Sequence, residues 1–388
     1  MANYDAIVVG AGINGASTAY HLRKRGAGKV LLVERRTPAS GGTGKSAAAV
    51  RQNYSTRLMA RLAKKSIDAF KRMRDELGRD GGYEPVGYHM LIPGDMVDGL
   101  KRNLSVQHSV GVVTGFMTDG EIDDRLPWLN REGIAAVTWE PDGGYADPVR
   151  STEAYVSAFE RDGGEVRLAT AARELLRERH RITGILTDTG PIYSGIVVNA
   201  AGPWAQFLAK SGGIDLPMRV VREQDSVWEM RSGRPLPVST LALAVDGIYV
   251  RPMGGTRYII GRGFPKAYID CDPYNFKETA DPEFISDILS RTEPRIPSFV
   301  GGRLIDSYAS IYDVTPDWYP FIGPRRDIEG YCDMNGGSGH GFKFGPAFGD
   351  ELAQWIVEGT VESDFAQFSH DRLANGSPFV QTFGGNRG

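Results

Sequence analysis

Cysteine is nearly absent from this chain. Cys271 and Cys332 are the only two among 388 residues, and neither sits in a CxxC pair. That excludes a disulfide-built scaffold and a thiolate metal site, and both thiols are expected to stay free in a reducing compartment. The six histidines are scattered without the spacing of metal ligands, so no metal is expected. An excess of charge is lacking too: 45 Lys and Arg against 48 Asp and Glu leave a net −3, which offers no surface for nucleic acid. No apolar run approaches the roughly 20 residues that a bilayer crossing needs. The run that starts at residue 6 reads as a strand of the fold rather than a signal peptide, so the chain is expected to be soluble and cytoplasmic. Repeats and low-complexity tracts are missing, apart from a polar tail, 376–388, expected to be poorly ordered.

Glycine, by contrast, is abundant. Its 49 copies and 22 prolines, interleaved with hydrophobic runs, suit a turn-rich α/β protein rather than a helical bundle. The most informative stretch is residues 7–34. Ile7, Val8 and Val9 lead into Gly10-Ala11-Gly12-Ile13-Asn14-Gly15, a helical pattern follows to Arg25, and a second apolar strand, Val30 to Val33, ends in Glu34. Strand, glycine loop, helix, strand and acid form the context in which GxGxxG signals a dinucleotide. Gly10 permits the tight turn, Gly12 lets backbone approach a pyrophosphate, and Gly15 lets helix and strand pack closely. The helix N-terminus then presents N–H groups to the anion. Glu34 can accept hydrogen bonds from ribose hydroxyls, which argues against NADP. The motif alone does not choose between NAD and FAD.

The loop from Arg35 through Thr43, Gly44, Lys45, Ser46 and Ala47 to Ala49 is rich in small residues, which suits backbone running close to an extended cofactor. Leu58, Leu62, Ile67, Phe70, Met73 and Leu77 recur at helical spacing over 56–77 and are expected in the core. Strands are predicted at 88–92, 134–139, 163–168 and 196–202, with helices at 95–110 and 149–161. The segment 218–312 is β-rich, with a helix at 281–292, and Pro346 is expected in the first turn of a closing helix that runs to Glu358. The pattern predicts a Rossmann-like nucleotide domain assembled from 1–82, 146–217 and 324–375. Interleaved with it is a mostly antiparallel, β-rich domain from 83–145 and 218–323.

Four motifs in order carry a resemblance. They are the GxGxxG with Glu34, Asn199-Ala200-Ala201-Gly202-Pro203-Trp204, Thr315-Pro316-Asp317-Trp318-Tyr319-Pro320-Phe321-Ile322-Gly323, and Gly337-Ser338-Gly339-His340-Gly341-Phe342-Lys343. From residue 5 to about 360 the chain resembles the D-amino-acid oxidase-like (DAO) family of FAD-dependent enzymes. Within it the likeness is to sarcosine oxidases, their β-subunits and related N-substituted amino-acid oxidases, such as those acting on iminodiacetate. The resemblance implies an α/β fold of the glutathione-reductase-2 type with FAD lying extended. Gly10, Gly12, Ile13, Asn14, Gly15, Glu34 and Arg35 would hold its diphosphate and ribose. Thr43, Gly44, Lys45, Ser46 and Ala47 would run beside it. Ala172, Ala200, Gly202 and Trp204 would meet the adenine end, and the turn Gly337, Gly339, His340, Gly341, Phe342 and Lys343 would face the flavin. Arg51 and Lys343 match the pair that grips a substrate carboxylate, one by bidentate bonding and one as a point charge. Tyr249 and Tyr312 match aromatic positions of the substrate cavity. His340 either braces its turn or acts directly.

The departures are equally informative. Some relatives hold FAD covalently on a cysteine two residues before the tyrosine matched by Tyr312, where this chain has Ser310. Others use a histidine in the early loop, where 44–47 has none. FAD is therefore expected to bind non-covalently. A lysine that speeds reaction with O2 is matched by Ile259, with Arg257, Arg262 and Lys266 close in sequence. The implied activity is oxidation of the C–N bond of a small secondary amino acid to an imine, which water hydrolyses to an amine and an oxo acid, with O2 taking the electrons. The alternatives are a dehydrogenase passing electrons to a carrier, or a supporting flavin subunit of a hetero-oligomer. Homo- or hetero-oligomers remain open as partners. A dicarboxylate substrate would need a further cation, for which Lys45, Arg257 and Arg262 are candidates.

Overall fold

In the computed structural model, residues 3–380, 382 and 383 are described. The first strand, Tyr4–Val9, lies at the centre of a sheet ordered Phe321–Pro324, Tyr331–Asn335, Gly190–Asn199, Tyr4–Val9, Val30–Val33, Glu165–Arg167. Its pairs are parallel, except Phe321–Pro324 against Tyr331–Asn335. Parallel strands are covered on both faces, and this is why these segments read as unbroken apolar runs. Val8 packs with the helices Ile13–Lys24, Arg57–Leu77, Pro148–Arg161 and Gly341–Glu358. Ile7 and Val9 face the opposite layer, built from the helix Ala205–Ser211 and the hairpin Ala172–Glu178 with Arg181–Thr187. The six apolar residues expected in the core over 56–77 are all buried.

Helices Ile13–Lys24 and Gly341–Glu358 touch because the second carries glycine one turn apart. A Cβ at Gly345 would lie 2.7 Å from Ile13 Cγ1, and one at Gly349 2.3 Å from Ser17 Oγ. This helix begins at Gly341, so Pro346 sits inside it rather than in its first turn as expected. The missing N–H costs a bond to the Phe342 carbonyl, offset by burial of Phe344 and Phe348, stacked 5.0 Å apart.

The second sheet runs Ile269–Asp270, Arg219–Glu229, Arg257–Arg262, Ile248–Pro252, Thr240–Leu243, Tyr88–Ile92, Ala136–Glu140, Gly115–Phe116, with Arg303–Val314 also paired to Arg219–Glu229. It is antiparallel except where Thr240–Leu243 meets Tyr88–Ile92. Helix Pro282–Arg295 covers it through Ile288.

Several predicted bounds move. Residues 95–110 divide into a short turn, Gly94–Met96, and the helix Val97–His108, and the strand expected at 163–168 is Glu165–Arg167. The strand expected at 196–202 is the end of Gly190–Asn199, which pairs back on a hairpin that pattern reading missed. The start of the tail also corrects the expectation of disorder. Phe379 stacks on Tyr319 at 4.1 Å, its N–H donates to Asp317 Oδ2 at 3.1 Å, and Thr382 Oγ1 donates to Asn103 Oδ1 at 2.9 Å. Aromatic burial ties down a polar stretch; residues 381 and 384–388 lie outside the described part. Cys271 and Cys332 are free thiols. Among the described residues no helix is long and apolar enough to cross a membrane, and no cluster of side chains is set to hold a metal.

Candidate active site

The glycine loop after the first strand leaves no room for side chains. Gly10 has φ +102°, and a Cβ there would meet the Ala200 carbonyl oxygen at 2.5 Å. At Gly15 it would lie 1.9 Å from Gly10 O, and at Gly12 it would meet Thr43 Oγ1 at 3.0 Å. Glu34 accepts from Ala11 N and Arg36 N, both at 2.9 Å, so its carboxylate is fixed at the wall of a cleft. The cleft passes Gly12 and Asn14, reaches Ala172 and Ala200 to Trp204 on one side, and ends at Gly337, Gly339 and Phe342. Arg35 stacks on Trp204 at 3.7 Å. Asn14 Oδ1 and Trp204 Nε1 are buried there without a hydrogen-bond partner among the described residues. A long groove floored by backbone, with spare donors and acceptors, fits an extended dinucleotide.

Most of the expected cofactor residues line this cleft, including Ile13, Thr43, Ser46, Gly202 and Gly341. Three do not. Gly15 packs beneath Gly10. Gly44 is held in the loop by its N–H to Ala39 O at 2.9 Å. Lys45 turns away, donating to Glu278 Oε2 at 2.6 Å and Ala309 O at 3.1 Å. Ala47 lines a neighbouring cavity instead.

That cavity, of about 140 Å³, shares Ser46, Tyr312, Gly339 and Phe342 with the cleft. Arg51 and Lys343 both line it, and among the described residues no acidic one does. Arg51 follows the short strand Ala49–Val50, stacks on Tyr54 at 4.4 Å and donates to the Asn53 carbonyl. Next to it, Gln52 donates through its backbone and side chain to Glu140 Oε1 at 2.7 and 3.3 Å. Burial pushes the Glu140 carboxyl up to about 7, against the Gln52 bonds and the Arg51 charge. Burial, and then the nearby Arg51, pull the Lys343 ammonium down to about 7. Two buried cations crowded together in this way raise the local affinity for an anion. The rest of the wall is mostly apolar, with Met90, Leu241, Leu243 and Ile248.

Tyr249 and Tyr312 line the cavity. His340 and Ile259 line neither space. His340 is 3% exposed, its ring 5.6 Å from Tyr54. Its backbone N–H donates to Gly337 O at 2.7 Å, which closes the turn. Ile259 is buried in the sheet between Val227 and Arg251. The cations near it in sequence are paired elsewhere: Arg257 with Glu229, Arg262 with Asp287, Lys266 with Glu223. Its cross-strand neighbour Arg251 stacks on Tyr145 at 4.0 Å and donates to Ala146 O at 3.2 Å.

Sequence reading missed the residues that hold these groups. The Asp313 carboxylate accepts from Gly336 N at 2.7 Å and Gly337 N at 3.1 Å, which pins the glycine turn. Asp317, in the third motif, pairs with buried Arg372 at 2.8 Å. Neither carries a local signal, since each partner is distant in sequence.

A dinucleotide cleft opening into a two-cation cavity defines a dinucleotide-dependent oxidoreductase. Residues 5–355 match the family model described as FAD dependent oxidoreductase, and the chain belongs to that DAO family; its cofactor is FAD. It is 26% identical over 374 residues to 4-methylaminobutanoate oxidase (formaldehyde-forming) of Paenarthrobacter nicotinovorans, covering 95% of this chain but only 45% of that protein. It is 24% identical to sarcosine oxidase subunit beta of Arthrobacter sp, covering 96% of this chain and 92% of that one. Among solved structures, L-proline dehydrogenase from P. horikoshii superposes with a TM-score of 0.89 at 27% identity, over 97% of this chain and all of the other, 100%.

Proposed function

We propose that the protein oxidises the C–N bond of a small, monocarboxylated secondary amino acid, of the kind represented by sarcosine or a cyclic imino acid. One observation carries this reading: Arg51 and Lys343 share a cavity that no acidic residue lines. A substrate carboxylate brings negative charge into the cavity, and its bonds to two cations fix the orientation of the molecule. The space of about 140 Å³ is close to one that admits a single benzene-sized molecule, on the order of 150 Å³. Six to eight heavy atoms fit, and a long side chain does not. The apolar wall of Met90, Leu241, Leu243 and Ile248 suits an N-methyl group or a ring better than a second carboxylate. The cations considered for a dicarboxylate, Lys45, Arg257 and Arg262, pair with Glu278, Glu229 and Asp287. The names of the relatives agree on the chemistry, because 4-methylaminobutanoate, sarcosine and proline all carry a secondary amine.

FAD supplies the two-electron acceptor. The chain's own residues position the substrate: Arg51 and Lys343 hold the carboxylate, and Tyr312, shared by cleft and cavity, marks the boundary where substrate meets cofactor. Either O2 or a carrier protein can then take the electrons, and the buried isoleucine at 259 favours the carrier. The test is anaerobic mixing of the FAD-loaded protein with sarcosine, L-proline and iminodiacetate. Bleaching of the flavin by sarcosine or L-proline, with iminodiacetate much weaker, is expected. Bleaching by iminodiacetate alone, or by no secondary amino acid, would overturn the reading.

A further inference from the structure

Three residues lie in a row across the second sheet. Gly261, on the middle strand Arg257–Arg262, is in register with Asp225 on one neighbour and Tyr249 on the other. Strands two apart are separated by nearly 10 Å, so side chains on the outer strands meet only across a middle residue that has none. Gly261 provides the gap: a Cβ there would lie 2.3 Å from Asp225 Oδ1 and 2.4 Å from the Tyr249 hydroxyl. Across it the Tyr249 hydroxyl donates to Asp225 Oδ1. Tyr249 lines the cavity that holds Arg51 and Lys343, and Asp225, 6% exposed, stands behind it.

This arrangement matters because the substrate reading just given leaves a proton to remove. A secondary amino acid arrives with its nitrogen protonated, and an ammonium cannot give up an electron pair to form C=N. Arg51 and Lys343 are committed to the carboxylate, and no acid lines the cavity. We propose that Asp225 is the proton acceptor of the site, reached through Tyr249. The substrate N–H proton passes to Tyr249 Oη while the tyrosine's own proton passes to Asp225 Oδ1. One N–H bond and one O–H bond break, two O–H bonds form, and no electrons are exchanged. The ammonium becomes a neutral amine, the carboxylate becomes a neutral acid, and the tyrosine is restored. Gly261 is the positioning residue of this relay.

The surroundings keep Asp225 suited to the task. Burial raises its carboxyl to about 6, against the Tyr249 bond and the charges of Lys266 and Arg251, with Glu223 adding to the rise. Tyr308 and Tyr312, on the strand Arg303–Val314, complete its polar neighbours. Glu223 and Lys266 pair with each other, so their charges offset. Above about pH 6 the acceptor is therefore an empty carboxylate.

The decisive variant is Asp225→Asn, which still accepts the Tyr249 hydrogen bond but cannot take a proton. Anaerobic stopped-flow bleaching of the FAD-loaded protein by saturating sarcosine is followed against pH, so that the loss of Lys343 charge near pH 7 affects binding and not the limiting rate. The wild-type rate reaches a plateau above about pH 6. The variant is slower at neutral pH by at least about tenfold, and its rate keeps climbing towards the range where the free ammonium deprotonates, because only neutral amine then reacts. Tyr249→Phe, which leaves Asp225 in place, shows the same displaced profile and serves if the first variant fails to keep FAD. Variant profiles that overlay the wild type overturn the relay alone. A wild type that no secondary amino acid bleaches overturns the functional reading, and the relay with it.

Discussion

The cleft and the cavity meet at four residues, yet they are built in different ways. The cleft is made of backbone: glycines at 10 and 12 with Gly15 packed beneath them, a helix N-terminus, and one acid within 25 residues of the first turn. The cavity is made of side chains brought together from residues 51, 249, 312 and 343, on elements separated by most of the chain. Backbone sites fail when a single carbon is added. Side-chain sites fail by degrees, as charges and hydrogen bonds are lost one at a time.

That contrast can be broken first at Gly15. A Cβ 1.9 Å from Gly10 O cannot be accommodated, so Gly15→Ala should lose FAD altogether, read as absent flavin absorbance in the purified protein. A variant that keeps its yellow colour would show that the loop is more yielding than the structure implies. The second expectation is also all-or-none. With Ser310 buried at the position matched to the anchoring cysteine of some family members and no histidine in 43–47, acid precipitation should release every flavin into the supernatant. A yellow pellet would reveal a covalent bond. Effects in the cavity should be graded. Arg51→Ala and Lys343→Ala each remove a charge-assisted hydrogen bond worth about 1.5–3 kcal/mol. KM for sarcosine should then rise roughly tenfold or more, with FAD still bound. Unchanged kinetics in both would remove the carboxylate clamp.

A smaller effect follows from Lys343 itself. Its ammonium, lowered to about 7 by burial and Arg51, is charged below that pH and neutral above it. Affinity of the FAD-loaded protein for acetate should therefore fall as pH rises through about 7. Lys343→Arg, whose guanidinium keeps its charge, should flatten the profile. A wild-type affinity that is constant across this range would show that Lys343 stays charged when the cavity is empty. The smallest effect concerns oxygen. Ile259 offers no charge, and Arg251 beside it is tied to Tyr145 and Ala146. Reoxidation by O2 should be slow and an artificial acceptor preferred. Ile259→Lys should raise the reoxidation rate in stopped flow without changing flavin reduction, and fast wild-type reoxidation would place the charge elsewhere.

The same contrast explains what could be read from the sequence. The dinucleotide loop is local, so Gly10 to Glu34 announced strand, turn, helix and acid in one stretch. Helix Arg57–Leu77 was equally plain, because its apolar face repeats every three or four residues. Pro346 misleads, since the rule about first turns puts it in the opening turn, whereas the helix starts at Gly341 and packing of Gly345 and Gly349 on the first helix carries it through. His340 lies in a motif but lines neither the cleft nor the cavity. Asp225 lay in no motif at all. Its meaning depends on a strand register that pairs it with Gly261, and on a glycine that lets Tyr249 reach across. Nothing at positions 225, 249 and 261 signals that register before the sheet is assembled. Phe379 shows the reverse error, an aromatic anchor hidden in a polar tail.

The central claim is that Arg51 and Lys343 together receive the carboxylate of a small secondary amino acid. The most direct measurement is a crystal structure of the FAD-loaded protein soaked with tetrahydrofuran-2-carboxylate, the proline ring with oxygen in place of nitrogen. The account predicts its carboxylate between Arg51 and Lys343, its ring against Met90, Leu241 and Ile248, and its ring oxygen towards Tyr249. A carboxylate bound anywhere else in the cavity, with Arg51 and Lys343 left to solvent, would contradict it.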